Sequence, residues 1–113
     1  MTTAAEYNEQ QLKKWLGVLL ASVDLGSGLD RQAWHHVDAA SMLLVSSLKG
    51  MALVPKSPLR ELRVAAKFLR AEALHHGERE FILEMADKLE LALDLIIIDE
   101  EHGDRVPGVP RII

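Results

Sequence analysis

The sequence predicts an all-α fold: an antiparallel up-and-down four-helix bundle with an irregular apolar C-terminal tail. Three observations carry this reading. Apolar residues recur at three-and-four spacing in four stretches, and glycine- or proline-containing breaks separate those stretches. Aromatic residues make up only 4% of the chain, so the core must rest on Leu, Ile, Val, Ala and Met, which suit helices better than a sheet. Consecutive helices joined by short links are expected to pack as neighbours, which gives the up-and-down order. With 113 residues the chain has material for one domain, 1–113, in which 103–113 form the tail.

The first helix is expected over residues 4–25. Thr3 and Glu6 have the spacing of a capping box, and Leu12, Trp15, Leu16, Leu19 and Val23 form its core face. Gly26, Ser27 and Gly28 stop it, because glycine tolerates the left-handed conformation that closes a helix. Asp30 is the N-cap of the second helix, with Leu29 placed to pack on Trp34 as a hydrophobic staple. Its core face is Trp34, Val37, Ser41, Leu44, Val45 and Leu48; the helix ends at Gly50 or runs on through Leu53 until Pro55 forces a break.

Ser57 reads as the N-cap of the third helix, with Pro58 at the first helical position, where a missing N–H costs nothing. This helix runs to His75 and turns Leu59, Leu62, Ala66, Leu69 and Ala73 inward. His75 and His76 complement the dipole at its end, and Gly77 supplies the cap. Arg60, Arg63, Lys67 and Arg70 form a separate basic stripe. The fourth helix opens at Glu78 with Ile82, Met85, Leu89, Ala92 and Ile96 as its core stripe. Glu80, Glu84, Asp87, Glu90 and Asp94 form an acidic stripe, expected to face water rather than the basic stripe because exposed pairs contribute only ~0–1 kcal/mol. Residues 95–98 are apolar all round the helix and demand cover. The tail is too apolar to be ignored and is expected to strap onto the bundle or onto a partner.

Composition narrows the function. A net charge of −4 argues against a nucleic-acid partner, although the basic stripe remains a secondary surface. The absence of cysteine removes disulfides, thiolate metal sites and cysteine nucleophiles, and fits a cytoplasmic location. Lys13 and Lys14 before the apolar run 15–21 imitate a signal peptide, but Glu6, Glu9 and the amphipathic pattern favour a core helix. No run approaches the ~20 apolar residues that would span a bilayer, so no membrane partner is expected.

Glu72 and His75 have the Glu-x-x-His spacing of di-metal carboxylate bundles, and Asp99 with His102 echoes it, yet the core stripes supply no inward carboxylates. No metal and no cofactor are expected. No serine has an assignable base and orienting acid, no G-x-S-x-G elbow occurs, and the Gly26-Ser27-Gly28 turn is not a phosphate-binding loop. The chain is therefore read as a non-enzyme.

One surface stands out. Opposite the core face of the second helix lie Ala39, Met42, Leu43, Ser46, Ser47 and Gly50, and this side carries no charge from residue 39 to 48. A helix face turned to water is normally charged, so this one is covered or presents a neutral surface to a partner.

The run Ser46-Ser47-Leu48-Lys49-Gly50-Met51-Ala52 resembles the signature of histidine-containing phosphotransfer (HPt) domains, His-x-Leu-Lys-Gly-Ser/Ala on the second long helix of a four-helix bundle. The similarity continues through a short irregular link to Leu69-Arg70-Ala71-Glu72, the Gly77-Glu78 break and a last helix of about twenty residues, so it covers most of the chain. It implies a lysine, Lys49, that offsets phosphate charge and a glycine, Gly50, that admits a partner's loop. The phosphorylated histidine itself is replaced by Ser46, whose hydroxyl would form a stable ester rather than a phosphoramidate. His35 and His36 lie about three turns away, and the span from Asp30 to Ser46 exceeds the family's usual one.

The resemblance thus implies a degenerate, non-catalytic regulatory module. It would dock a receiver domain or histidine kinase through Ala39, Met42, Leu43, Ser46, Lys49 and Gly50. Gly50→Gln should block docking while melting temperature holds or rises, since glutamine is a better helix former than glycine. Two alternatives stand beside it: Leu-Lys-Gly is a chance tripeptide in an ordinary bundle, or the chain is an assembly homodimer joined through 95–98 and the tail.

Overall fold

The computed structural model describes residues 3–24 and 28–104. Four helices follow one another: α1 Ala4–Asp24, α2 Arg31–Leu48, α3 Lys56–Ala73 and α4 Arg79–Ile97. At the start of α1 the Glu6 amide donates to the Thr3 hydroxyl at 3.1 Å, and at α2 the Ala33 amide donates to the Asp30 carboxylate at 2.9 Å. Both caps satisfy amides that a helix N-terminus leaves without a carbonyl.

The third helix departs from expectation. It starts at Lys56 with Pro55 at the cap position, and no side chain caps it. Pro58 is buried one turn in, so it serves the core rather than only the helix start. The helix closes at Leu74, and Gly77 does not take the left-handed conformation expected of a glycine cap. Instead the His76 ring accepts the Glu78 amide through Nδ1 at 3.0 Å, so the break is closed by an imidazole.

The chain forms an all-α, up-and-down four-helix bundle, with one difference in helix order. α1 packs on α2 and α3 on α4, but α2 then packs on α4 and α1 on α3; no Cα pair within 8 Å joins α2 to α3 or α1 to α4. Side-chain contacts give the directions. Asn8 meets Leu43 and Trp15 meets His36, so α1 and α2 are antiparallel. Arg31 meets Glu78, Lys88 meets Asp38 and Gly50 meets Asp99, so α2 and α4 run parallel. Arg70 meets Asp87 and Glu90, while 59–64 line a cleft with Leu93 and Ile97, so α3 and α4 are antiparallel.

The link between α2 and α3 therefore crosses a diagonal of the bundle. Its seven residues, 49–55, can extend to about 23 Å, whereas helix axes 8–10 Å apart give a diagonal of only about 11–14 Å. A short link fixes the direction of the next helix without fixing which corner it takes.

One core cluster runs through all four helices, from Leu12, Leu16 and Leu19 through Val37, Leu44 and Leu48 to Leu62, Leu69, Ile82 and Leu89. Alanines 33, 40, 65, 66, 73, 86 and 92 are also buried, and their small side chains admit close helix approach. Two inward assignments are corrected: Trp15 and Leu59 pack against the core but stay partly exposed. Within 95–98, Leu95 and Ile96 are buried, while Ile97 is 65% exposed and Ile98 37%. Most of the tail, 105–113, lies outside the described residues. Among the described residues, no helix is long and apolar enough to cross a membrane.

Leu44 and Leu89 are fully buried, and truncation at either leaves a cavity that close-packed neighbours cannot fill. Leu44→Ala and Leu89→Ala should each lower unfolding free energy by about 2–5 kcal/mol in chemical denaturation, with the helical circular dichroism of the native state retained.

Candidate docking face on the second helix

α2 buries Ala33, Trp34, Val37, Ala40, Ser41, Leu44, Val45 and Leu48 on one side. Ser41 is buried but satisfied, donating to the Asp38 carbonyl at 2.8 Å. The opposite side exposes Gln32, His35, His36, Ala39, Met42, Leu43 and Ser46. None of these is Asp, Glu, Lys or Arg, although exposed Arg31 and half-exposed Asp38 border the same side and pair with Glu78 and with Lys88 of α4. Leu43 is 58% exposed and Met42 42%, so the uncharged side of the helix is open to solvent.

This face continues into a cleft of about 170 Å³ between α1 and α2, lined by Tyr7, Asn8, Gln11, Trp15, His36, Ala39, Ala40 and Leu43. Trp15 and His36 stack there, with ring centroids 3.9 Å apart and planes 11° from parallel. The Asn8 amide donates to the Leu43 carbonyl at 3.3 Å and closes one end. Sequence reasoning missed this cleft because it assigned Trp15 wholly to the core. The pairing of Trp15 with His36 depends on the register of two helices, which periodicity within either one does not reveal.

Lys49 and Gly50 stand apart from the helical face. α2 ends at Leu48, Lys49 is an extended C-cap and Gly50 has φ +84. The Gly50 amide donates to the Asp99 carboxylate at 2.7 Å, and the Lys49 ammonium lies 2.7 Å from Asp104 and 3.8 Å from Glu101. An acidic turn after α4 thus engages Lys49 and Gly50, the two residues to which the HPt resemblance would give phosphate charge and a partner's loop. Asp99 itself holds a left-handed φ of 59, and Asp104 also accepts the Glu101 amide at 2.8 Å. The hydrogen bond to Lys49 is the main cause that holds the Asp104 carboxyl below its usual range, and the same bond raises Lys49.

The basic stripe is divided in use. Arg70 reaches α4, bonding Glu90 through Nε and Nη2 at 2.9 Å each and Asp87 at 2.7 Å. At this point the two stripes face each other, contrary to the expectation that both face water. These bonds hold the Glu90 carboxyl below the usual carboxylate range. Arg60, Arg63 and Lys67 are exposed and have no ion pair among the described residues. The described residues hold no cluster of three or more His, Asp or Glu side chains able to bind a metal ion.

No protein-family model, no curated protein and no solved structure matches this chain.

Two outcomes follow from the Lys49-Gly50 turn. The premise that Gly50 is helical is overturned by its φ, so Gly50→Gln should lower stability by about 1–2 kcal/mol instead of leaving it unchanged. In the acidic turn, the depressed Asp104 carboxyl gives a contact fully present above its unfolded range and lost as pH falls through the lower folded value. The raised Lys49 gives one present below its unfolded range and lost as pH climbs through the higher folded value. NMR titration should show the Asp104 carboxyl shifting at a lower pH than in Lys49→Ala.

Proposed function

We propose that the chain is a non-catalytic helical binding module that docks a signalling protein, a receiver domain or a histidine kinase, through the outward face of α2. The observation that carries this reading is the exposed run of Ala39, Met42, Leu43 and Ser46 with no formal charge beside an open cleft. Docking removes a surface from water, and an uncharged surface loses little hydration in the process. Leu43 and Met42 supply apolar area, and the unbranched thioether of Met42 can adapt to a partner's contours. The α3 and α4 surfaces, by contrast, are dense in Arg, Lys, Asp and Glu and would cost more to desolvate.

The partner class rests on the likeness of 46–52 to the HPt signature. Ser46 in the histidine's place makes the module a docking partner rather than a phosphoryl carrier. Lys49 and Gly50 act here through the fold: they order the end of α2 and the turn that flanks the face, and contact with the partner falls to Ala39, Met42, Leu43 and Ser46.

Titration of the isotope-labelled chain with isolated receiver domains and kinase dimerisation domains tests this directly. Amide signals of 36–46 should move, and Leu43→Glu should weaken binding at least about tenfold with the melting temperature unchanged, since Leu43 is exposed. Perturbation confined to other helices, or none with either domain class, would reject the reading.

A further inference from the structure

The outer face of the α3–α4 hairpin shares no residue with the α2 face, and it has a different character. α3 contributes Arg60, Arg63, Lys67 and Arg70; alongside, antiparallel to it, α4 contributes Asp87, Glu90 and Asp94. Arg70 lies level with Asp87 and Glu90. At the other end a cleft of about 330 Å³ opens among Leu59, Arg60, Arg63, Val64, Leu93 and Ile97. Ile97 stands 65% exposed there and Val64 54%. Among the described residues, Arg60, Arg63, Lys67 and Asp94 form no ion pair within the chain.

A face built from one basic helix beside one acidic helix is its own electrostatic complement. Rotation by a half-turn about an axis lying in the face and parallel to the helices places α3 of one copy on α4 of the other. Every residue keeps its height along the axis. Arg63 of each copy then meets Asp94 of the other, Lys67 comes level with Glu90, which Arg70 of its own chain already bonds, and Ile97 of each meets Leu59 and Val64 of the other. Rotation about an axis lying in the face but perpendicular to the helices would set α3 on α3 and α4 on α4, like charge on like, so the charge pattern selects the axis parallel to the helices.

We infer that the outer face of the α3–α4 hairpin is a self-association surface that takes a second copy of this chain in this two-fold arrangement. An isologous contact uses each complementary pair twice, so two modest apolar contacts and several charge pairs act together. The exposed Ile97 gains cover that the apolar end of α4 lacks among the described residues. The charges beside the apolar end set orientation and partner choice and make the association sensitive to salt.

Sedimentation equilibrium and light scattering of the full chain, with two charge reversals, test this inference. The wild-type chain should form dimers that dissociate as salt is added. Arg63→Glu and Asp94→Arg should each weaken association at least about tenfold, because each sets like charges opposite one another twice. An equal mixture of the two variants should recover a heterodimer, since the introduced carboxylate of one meets the introduced guanidinium of the other, and the native Asp94 meets the native Arg63. Ile97→Ser should weaken association without altering its salt dependence. All three positions are exposed, so circular dichroism melting should stay close to wild type and separates lost association from lost folding. A chain monomeric up to about 0.5 mM overturns the inference. So does a dimer that tolerates both reversals, or a mixture of the variants that fails to pair. Binding of an acidic amphipathic peptide in the cleft of a chain that remains monomeric would also overturn it, giving the face to a different partner.

Discussion

The parallel pairing of α2 with α4 is the constraint on which the rest of this bundle depends. It places two helix N-termini at one end and two C-termini at the other, so like ends of the helix dipoles stand together. The N-terminal end meets this with carboxylates: Asp30 caps α2, and Glu78 precedes α4 while pairing with Arg31. The arginine also lies over the Phe81 ring, 4.1 Å from its centroid, so this end is tied by charge and by stacking. The C-terminal end is harder to satisfy, because the chain adds an acidic turn where the carbonyl ends already concentrate negative charge. Lys49 and the Gly50 amide offset part of that charge, which explains why both engage the acidic turn while remaining exposed.

That arrangement also accounts for the split character of the Leu-Lys-Gly run. Leu48 is core, Lys49 is an electrostatic clasp and Gly50 is a left-handed turn that lets its amide reach Asp99. Three adjacent residues serve three structural ends. Their likeness to a docking signature can therefore arise from the demands of closing a helix at this place. The neutral face of α2 has no such structural explanation. Exposed Leu43 and Met42 contribute little to the core, so that face, rather than the tripeptide, supports a binding role.

Local chemistry was readable from the sequence where one short segment contains the whole interaction. The Thr3–Glu6 and Asp30 caps and the core stripes of α2 and α4 are of this kind, since helical geometry alone brings their atoms together. Helix order was not, because Lys49, Gly50 and Pro55 say that the chain turns but not which corner it turns to. The Ser57 cap failed for a related reason: Pro55 already fixes an extended entry, and Lys56 can start the helix behind it. The α1–α2 cleft and the acidic turn depend on residues that are 21 to 55 positions apart, as in Trp15 with His36 and Lys49 with Asp104. Candidate site residues on α2 were legible as a missing property, the lack of charge, and that signal needs no knowledge of the fold.

The helix order explains why α2 can present such a face at all. An isolated helix of its length is marginal in water and often gains from charged pairs on its exposed side. α2 has no such pair along its outward face, yet it is held on one flank by α1 and on the other by α4, with Asp30 closing its start and Lys49 clasped at its end. Stability supplied from two flanks and both termini leaves the outward positions free of any folding requirement. α3, which has no side-chain cap at its start, and α4 carry their charges in the open, and Arg70 joins them by a bidentate contact to Glu90. The surface is divided into a neutral side on α2 and a two-signed side on α3 and α4. Because the outward residues of α2 add little to folding, substitutions there change what the helix can bind with little effect on whether it forms.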